Sequence, residues 1–463
     1  MILKNAKIYA EGIIHKGAIL INNGIIQSIN FNPSIEDYNY ITKQNDDEIE
    51  IDCENKLIIP GIIDIHSHLR DMDQSEKETF LTGTKAAAFS GITTVFNMPN
   101  TKPPAITAHQ VKNWMNRAQN NIYVDVCFIA GVPKEINYDE IIKIIDLGVI
   151  GFKIYPLNSL NEVDWTDSLN VQKILHISSK FQIPIFIHPD WPISEDKKDN
   201  ILQENTLENS TALELHNMLY PCQMEAEYVN FILENYYKIV ADNDLNSKNY
   251  PIIHFCHISC IESYSLIKKA IKQYKTLKIT FEITPHHLLL SNKIKLSNDN
   301  YGKVLPPLRN EDHHKFLYNE LIEGNIDFIG TDHAPHTLIE KSKKYFNAPS
   351  GFPGFETYPL IMLDKVSRYE LSLERFVKVA SENPAKQFNL KNKGFIRKGY
   401  DADLIIVDRV LNQKINPQNF ITKAKYTPYE NYTSQIQIWK VFLRGIEINI
   451  ENSKPIGMII KFI

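Results

Sequence analysis

This chain lacks a strong charge of one sign, a membrane-length apolar run and a disulfide framework. Its 50 Lys and Arg are slightly outnumbered by 55 Asp and Glu, giving a formal charge of −5. That balance supplies no basic field for nucleic acid and no membrane-surface signature. No apolar stretch reaches the roughly 18 residues a membrane helix needs. The opening Met1-Ile-Leu-Lys-Asn-Ala-Lys7 breaks its apolar side chains with Lys4 and Lys7, so no signal peptide is expected. Cysteine is sparse and odd in number: Cys53, Cys127, Cys222, Cys256 and Cys260, with no Cys-x-x-Cys pair. Such usage fits a reduced, cytoplasmic protein.

What the chain does have is core material, with 43% hydrophobic residues in 463. Length alone would allow about three domains, but a barrel commonly takes about 250 residues as one unit. Residues 1–56 read as short strands, with a turn at Asn22-Asn-Gly24 and a polar surface loop around 44–48. From Leu57 the rhythm changes to short apolar runs alternating with amphipathic segments. Such runs mark parallel strands covered on both faces. Eight are expected, at 57–68, 93–98, 123–130, 148–155, 184–188, 252–257, 278–284 and 327–332, with helices at 79–89, 139–146 and 265–274 among those between them. Eight strands alternating with helices predict a (β/α)8 TIM-like barrel over 57–390. After about residue 390 the pattern returns to β, which predicts a small β-sandwich domain built from both termini, 1–56 and 391–463.

His66 and His68 lie two apart on the first barrel strand and therefore face the same side. Asp64 and Arg70 share that parity, while Ile63, Ile65 and Leu69 take the other. Barrel enzymes gather their chemistry at the C-terminal ends of the strands. Those ends carry His66, His68, Asn97, Asn100, Lys153, His188, His257, Glu282 and Asp332. Four imidazoles, an aspartate and a lysine converging on one rim suit a divalent metal. A lysine on an apolar strand points the same way, because an unpaired buried charge is costly.

These residues sit in motifs that resemble the dihydroorotases of the cyclic-amidohydrolase group. The resemblance spans nearly the whole chain. It rests on Asp64-Ile-His-Ser-His-Leu-Arg70, Asn97-Met-Pro-Asn-Thr101, Gly151-Phe-Lys-Ile-Tyr155, His188-Pro-Asp190, His257-Ile-Ser259, Glu282-Ile-Thr-Pro-His-His287 and Gly330-Thr-Asp-His-Ala-Pro-His336, with Asn383-Pro-Ala-Lys386 and Gly399-Tyr-Asp-Ala-Asp-Leu-Ile405 near the end. The resemblance implies two Zn2+ ions. His66 and His68 would hold the first, His188 and His257 the second, and a carboxylated Lys153 would bridge them. A bare ammonium would repel the metals, whereas a carbamate is an anionic bridge with two oxygens. Asp332 would ligate the first zinc and act as general base and acid. The reaction implied is the reversible cyclisation of N-carbamoyl-L-aspartate to L-dihydroorotate in pyrimidine synthesis. The resemblance also leaves room for a homodimer and for association with aspartate transcarbamoylase.

Allantoinases, hydantoinases and dihydropyrimidinases share much of this metal cage, so the substrate must be read elsewhere. Dihydroorotate carries a carboxylate, and a guanidinium is a bidentate clamp for it. Arg70 stands where dihydroorotases place such a clamp. Asn100 would add an amide hydrogen bond, and His336 a further contact to the carboxylate. A catalytically silent scaffold for aspartate transcarbamoylase is the rival from another class, although a scaffold needs none of the ligands. Leu305 departs from the family, where many relatives have a polar residue, and the segment from Tyr220 to Glu227 lacks a family arginine near its start. Residues 190–210 read as a cover or a solvated loop. Gly351 and Gly354 read either as donors of backbone amides to a ligand or as an ordinary glycine-rich turn.

Overall fold

The computed structural model describes residues 1–32, 49–204, 210–242, 246–449 and 452–462. The polar interval expected as a loop at 44–48 and part of 190–210 lie outside these residues. Every expected barrel strand is present: β1 Ile62–Ser67, β2 Ile92–Asn97, β3 Asp125–Gly131, β4 Gly151–Ile154, β5 Ile185–Ile187, β6 Ile252–Phe255, β7 Lys278–Ile283 and β8 Phe328–Ile329. They pair in chain order, all in parallel. The short β8 is tied back to β1 by a bridge between Ser67 and His333, and His68 N donates to His333 O at 2.8 Å. Asp64 helps this closure by accepting from Thr331 N at 2.8 Å. The result is a (β/α)8 barrel whose strands are buried on both faces, which is why each reads as an apolar run.

Helices fill the intervals close to their expected places, at Phe80–Phe89, Tyr138–Asp146 and Ile261–Gln273. Thr79 and Asn137 cap the first two, their side chains accepting from Thr82 N and Glu140 N. Among the described residues no helix is long and apolar enough to cross a membrane.

The expected run 57–68 divides at Gly61. Leu57–Pro60 pairs with Ile2–Ala10 and with Leu404–Lys414, and the barrel begins only at Ile62. A Cβ at Gly61 would collide with the Thr93 side chain, so the crossing from one sheet to the other needs glycine here. The strands of both termini form one mixed eight-stranded sheet around its own apolar core, which includes Leu3, Ile8, Ile19, Ile58, Leu404 and Phe442. The last strand, Ile459–Ile460, leaves that sheet and pairs with β3. A buried ion cluster joins the two sheets. Lys393 Nζ sits 2.7 Å from both Asp125 Oδ2 on β3 and Asp403 Oδ2, and Arg444 Nη1 is 2.7 Å from the same Asp125 oxygen.

Candidate active site

At the C-terminal ends of the strands lies a cavity of about 340 Å3, and His66, His68, Arg70, Asn100, His188, His257 and Asp332 all line it. Lys153 lies below, fully within β4. Its Nζ is 2.8 Å from Cys256 Sγ and sits 5.1 Å from the centre of the Tyr155 ring. His66 and His68 come from the end of β1, so their shared parity is real. Arg70 reaches the cavity by another route. Arg70, Asp71 and Met72 have φ of 55°, 59° and 51°, a left-handed turn just beyond the end of β1 at Ser67. A rim salt bridge from Arg70 to Asp71 does not form, because Asp71 pairs with Arg117 at 3.0 Å.

Three of the imidazoles are set up as neutral donors. Burial pulls His68 down to about 4 and His188 to about 3, and it takes His257 well below its ordinary value. His68 Nδ1 is 2.6 Å from Asn100 Oδ1, and its Nε2 lies 3.0 Å from Asp332 Oδ1. His66 is oriented by Glu282, whose Oε1 bonds its Nδ1. Burial opposes a charge on His66, but Glu282 outweighs it and raises the ring's pKa. For Asp332, burial would raise the carboxyl; His66 and the hydrogen bond from His68 win and hold it below the usual carboxylate range.

The donor set fits divalent cations. Donor atoms of His66, His68 and Asp332 all lie within 4.8 Å of one another. His188 Nδ1 and His257 Nε2 face each other at 3.0 Å. Two nitrogens on one tetrahedral zinc are separated by about 3.3 Å, close to that spacing. Glu282 and Asn100 hold the far side of His66 and His68, as outer partners of metal-ligating imidazoles do.

Several expected contacts fall elsewhere. His336 does not line the cavity; it lies behind Arg70, 3.4 Å from Nη2, with Nε2 3.0 Å from Ser350 O and Nδ1 3.2 Å from Lys77 Nζ. Asn97 accepts from Leu69 N and steadies the end of β1. The amides of Gly351 and Gly354 are already used, donating to Lys303 O at 2.9 Å and His333 Nδ1 at 3.1 Å. Within 190–210 the described residues include a helix, Glu195–Glu204. Leu305, one departure from the family pattern, and Tyr220, at the start of the segment that lacks a family arginine, both line the cavity. Cys256 and Tyr155 escaped the sequence reading, Cys256 because it adjoins His257 and strand parity gives adjacent residues opposite faces.

The sequence pattern of the Amidohydrolase family matches residues 57–446. The chain belongs to the amidohydrolase family. Among curated relatives of this amidohydrolase, a dihydroorotase from Methanosphaera stadtmanae is 34% identical over 442 residues, covering 93% of this chain and 92% of that one. A dihydroorotase from Carboxydothermus hydrogenoformans is 30% identical over 433 residues, covering 93% of both. Among solved structures, an L-hydantoinase (dihydropyrimidinase) from Arthrobacter aurescens superimposes with a TM-score of 0.87 at 25% identity, over 99% of each chain.

Proposed function

We infer that this amidohydrolase interconverts N-carbamoyl-L-aspartate and L-dihydroorotate. The observation that carries the reading is the match to dihydroorotases over nine-tenths of the chain. Arg70, on the wall of the cavity that holds the histidines, supports it chemically. A neutral ring offers a buried guanidinium no opposite charge, whereas the substrate carboxylate offers a charge-assisted, bidentate partner.

In this proposal His66, His68 and Asp332 would hold one zinc and His188 and His257 a second, with a Lys153 carboxylated by CO2 as a further anionic ligand. When bound, the cations supply Lewis acidity toward a carbonyl oxygen and a lowered pKa for water. The other roles belong to the chain. The Asp332 carboxylate takes a proton in the hydrolytic direction and delivers it to the departing ring nitrogen; ring closure reverses the transfer. Arg70 fixes the substrate by its carboxylate, and Asn100 and Glu282 hold His68 and His66 in register. His336 acts by packing behind the Arg70 guanidinium, which replaces the direct carboxylate contact expected for it.

Replacing Arg70 with Met tests the substrate assignment. The account expects kcat/KM for L-dihydroorotate to fall by about 2–5 kcal/mol in transition-state terms, as for a desolvated charge pair. Metal content should stay at the wild-type level. Unchanged kinetics on dihydroorotate would remove Arg70 from the site.

A further inference from the structure

A second cluster of reactive groups lies outside the metal residues. Cys222 opens the long helix Cys222–Asp242, and Cys260 is the N-cap residue of Ile261–Gln273. Their sulfur atoms lie within 4.8 Å of each other, Cys260 buried and Cys222 half-buried. His313 Nε2 is 3.5 Å from Cys222 Sγ. Its Nδ1 accepts from Ile261 N at 3.2 Å, so in the neutral ring the proton sits on Nε2 and points at the sulfur. His313 and Arg309 favour a thiolate at the partly exposed Cys222, whereas Glu225, 3.5 Å from Cys260 Sγ, opposes it and Glu262 lies within 4.8 Å of both sulfurs. Cys260 first, then His313 and Arg309, hold the Cys222 thiol at about 6 against the opposing effect of burial. Cys53, by contrast, is pushed up to about 12 by burial.

We propose that Cys222 and Cys260 form a thiol pair that hydroperoxides oxidise to a disulfide. The Cys222 thiolate attacks the terminal peroxide oxygen; the O–O bond breaks, an S–O bond forms, and hydroxide or alkoxide leaves. The Cys260 sulfur then attacks the Cys222 sulfenic acid. An S–S bond forms, the S–O bond breaks, and the Cys260 proton leaves with the hydroxyl as water. The two thiols lose two electrons and the peroxide gains them. The bond ties together two segments of the catalytic rim. Tyr220, two residues before Cys222, lines the cavity, and Cys260 follows His257 by three residues. Arg309 already links the same segments, donating to Tyr220 O at 2.5 Å and to Ser259 Oγ at 2.9 Å.

The test uses the full, metal-loaded chain. Alkylation of Cys222 by iodoacetamide, followed by mass spectrometry across pH, is expected to show a midpoint well below the ordinary thiol value of about 8.5. His313→Gln should slow labelling near neutral pH by about tenfold and move the midpoint up. Hydrogen peroxide should yield a Cys222–Cys260 linked peptide in the wild-type chain. In Cys260→Ser it should leave a Cys222 sulfenic acid that dimedone traps. The proposal is overturned by an ordinary midpoint that His313→Gln leaves in place, or by peroxide treatment that gives no Cys222–Cys260 link. The wild-type link decides the matter even should Cys260→Ser fail to fold.

Discussion

Lys153→Ala is expected to lose bound metal and activity together. The side chain is buried on β4 beneath the cavity, with its Nζ against a cysteine sulfur and an aromatic face. Neither neighbour is a carboxylate, so an ammonium there is a poorly compensated buried charge. In the proposed centre, carboxylation would turn that cost into an anionic ligand. Removing it would leave the proposed histidine ligands with Asp332 as the one anionic ligand to balance divalent charge. Loss of metal assistance removes several kcal/mol of transition-state stabilisation, a fall in kcat of roughly 1,000-fold or more. Metal analysis of the purified variant, paired with a thermal unfolding scan, separates this result from simple misfolding. A folded variant with two metal equivalents and wild-type turnover would remove Lys153 from the centre.

Asp332→Asn should behave differently. The amide keeps the shape of the side chain but accepts no proton at that position. We expect kcat to fall by about 100- to 10,000-fold, the range that a positioned general base contributes. KM for dihydroorotate should move little, because Arg70 binds the carboxylate independently. Metal held through His188 and His257 should remain. A variant that keeps kcat within about threefold of wild type would mean that another group moves the proton.

The barrel was legible because burial on both faces leaves a simple signature, an apolar run between polar segments. His66 and His68 were legible for a related reason: they lie two apart at the end of β1, and both line the cavity. The reading weakened wherever the backbone left the extended region. Arg70 lies in a left-handed turn, so its arrival in the cavity owes nothing to strand parity. At His257 φ is 37°, which lets neighbouring Cys256 and His257 both reach the site. Gly61 carries a crossing between sheets that hydrophobicity cannot show, since both sides of it are equally apolar. His336 and Asn100 were picked out by their motifs, but the hydrogen bonds that occupy them come from residues distant in the chain. His336 packs between Arg70 and Ser350, and Asn100 is bonded to His68. Glu282 was legible only as a strand-end carboxylate; its side chain contacts His66, His254 and the His257 amide.

The most direct measurement is hydrolysis of L-dihydroorotate by the zinc-loaded protein, run beside hydantoin, dihydrouracil and allantoin. The account predicts turnover of dihydroorotate with strong preference over the three neutral rings. Turnover of a neutral ring in preference to dihydroorotate would contradict the substrate assignment while leaving the metal site standing. No turnover of any of them by protein holding two zinc ions would contradict the enzymatic reading itself.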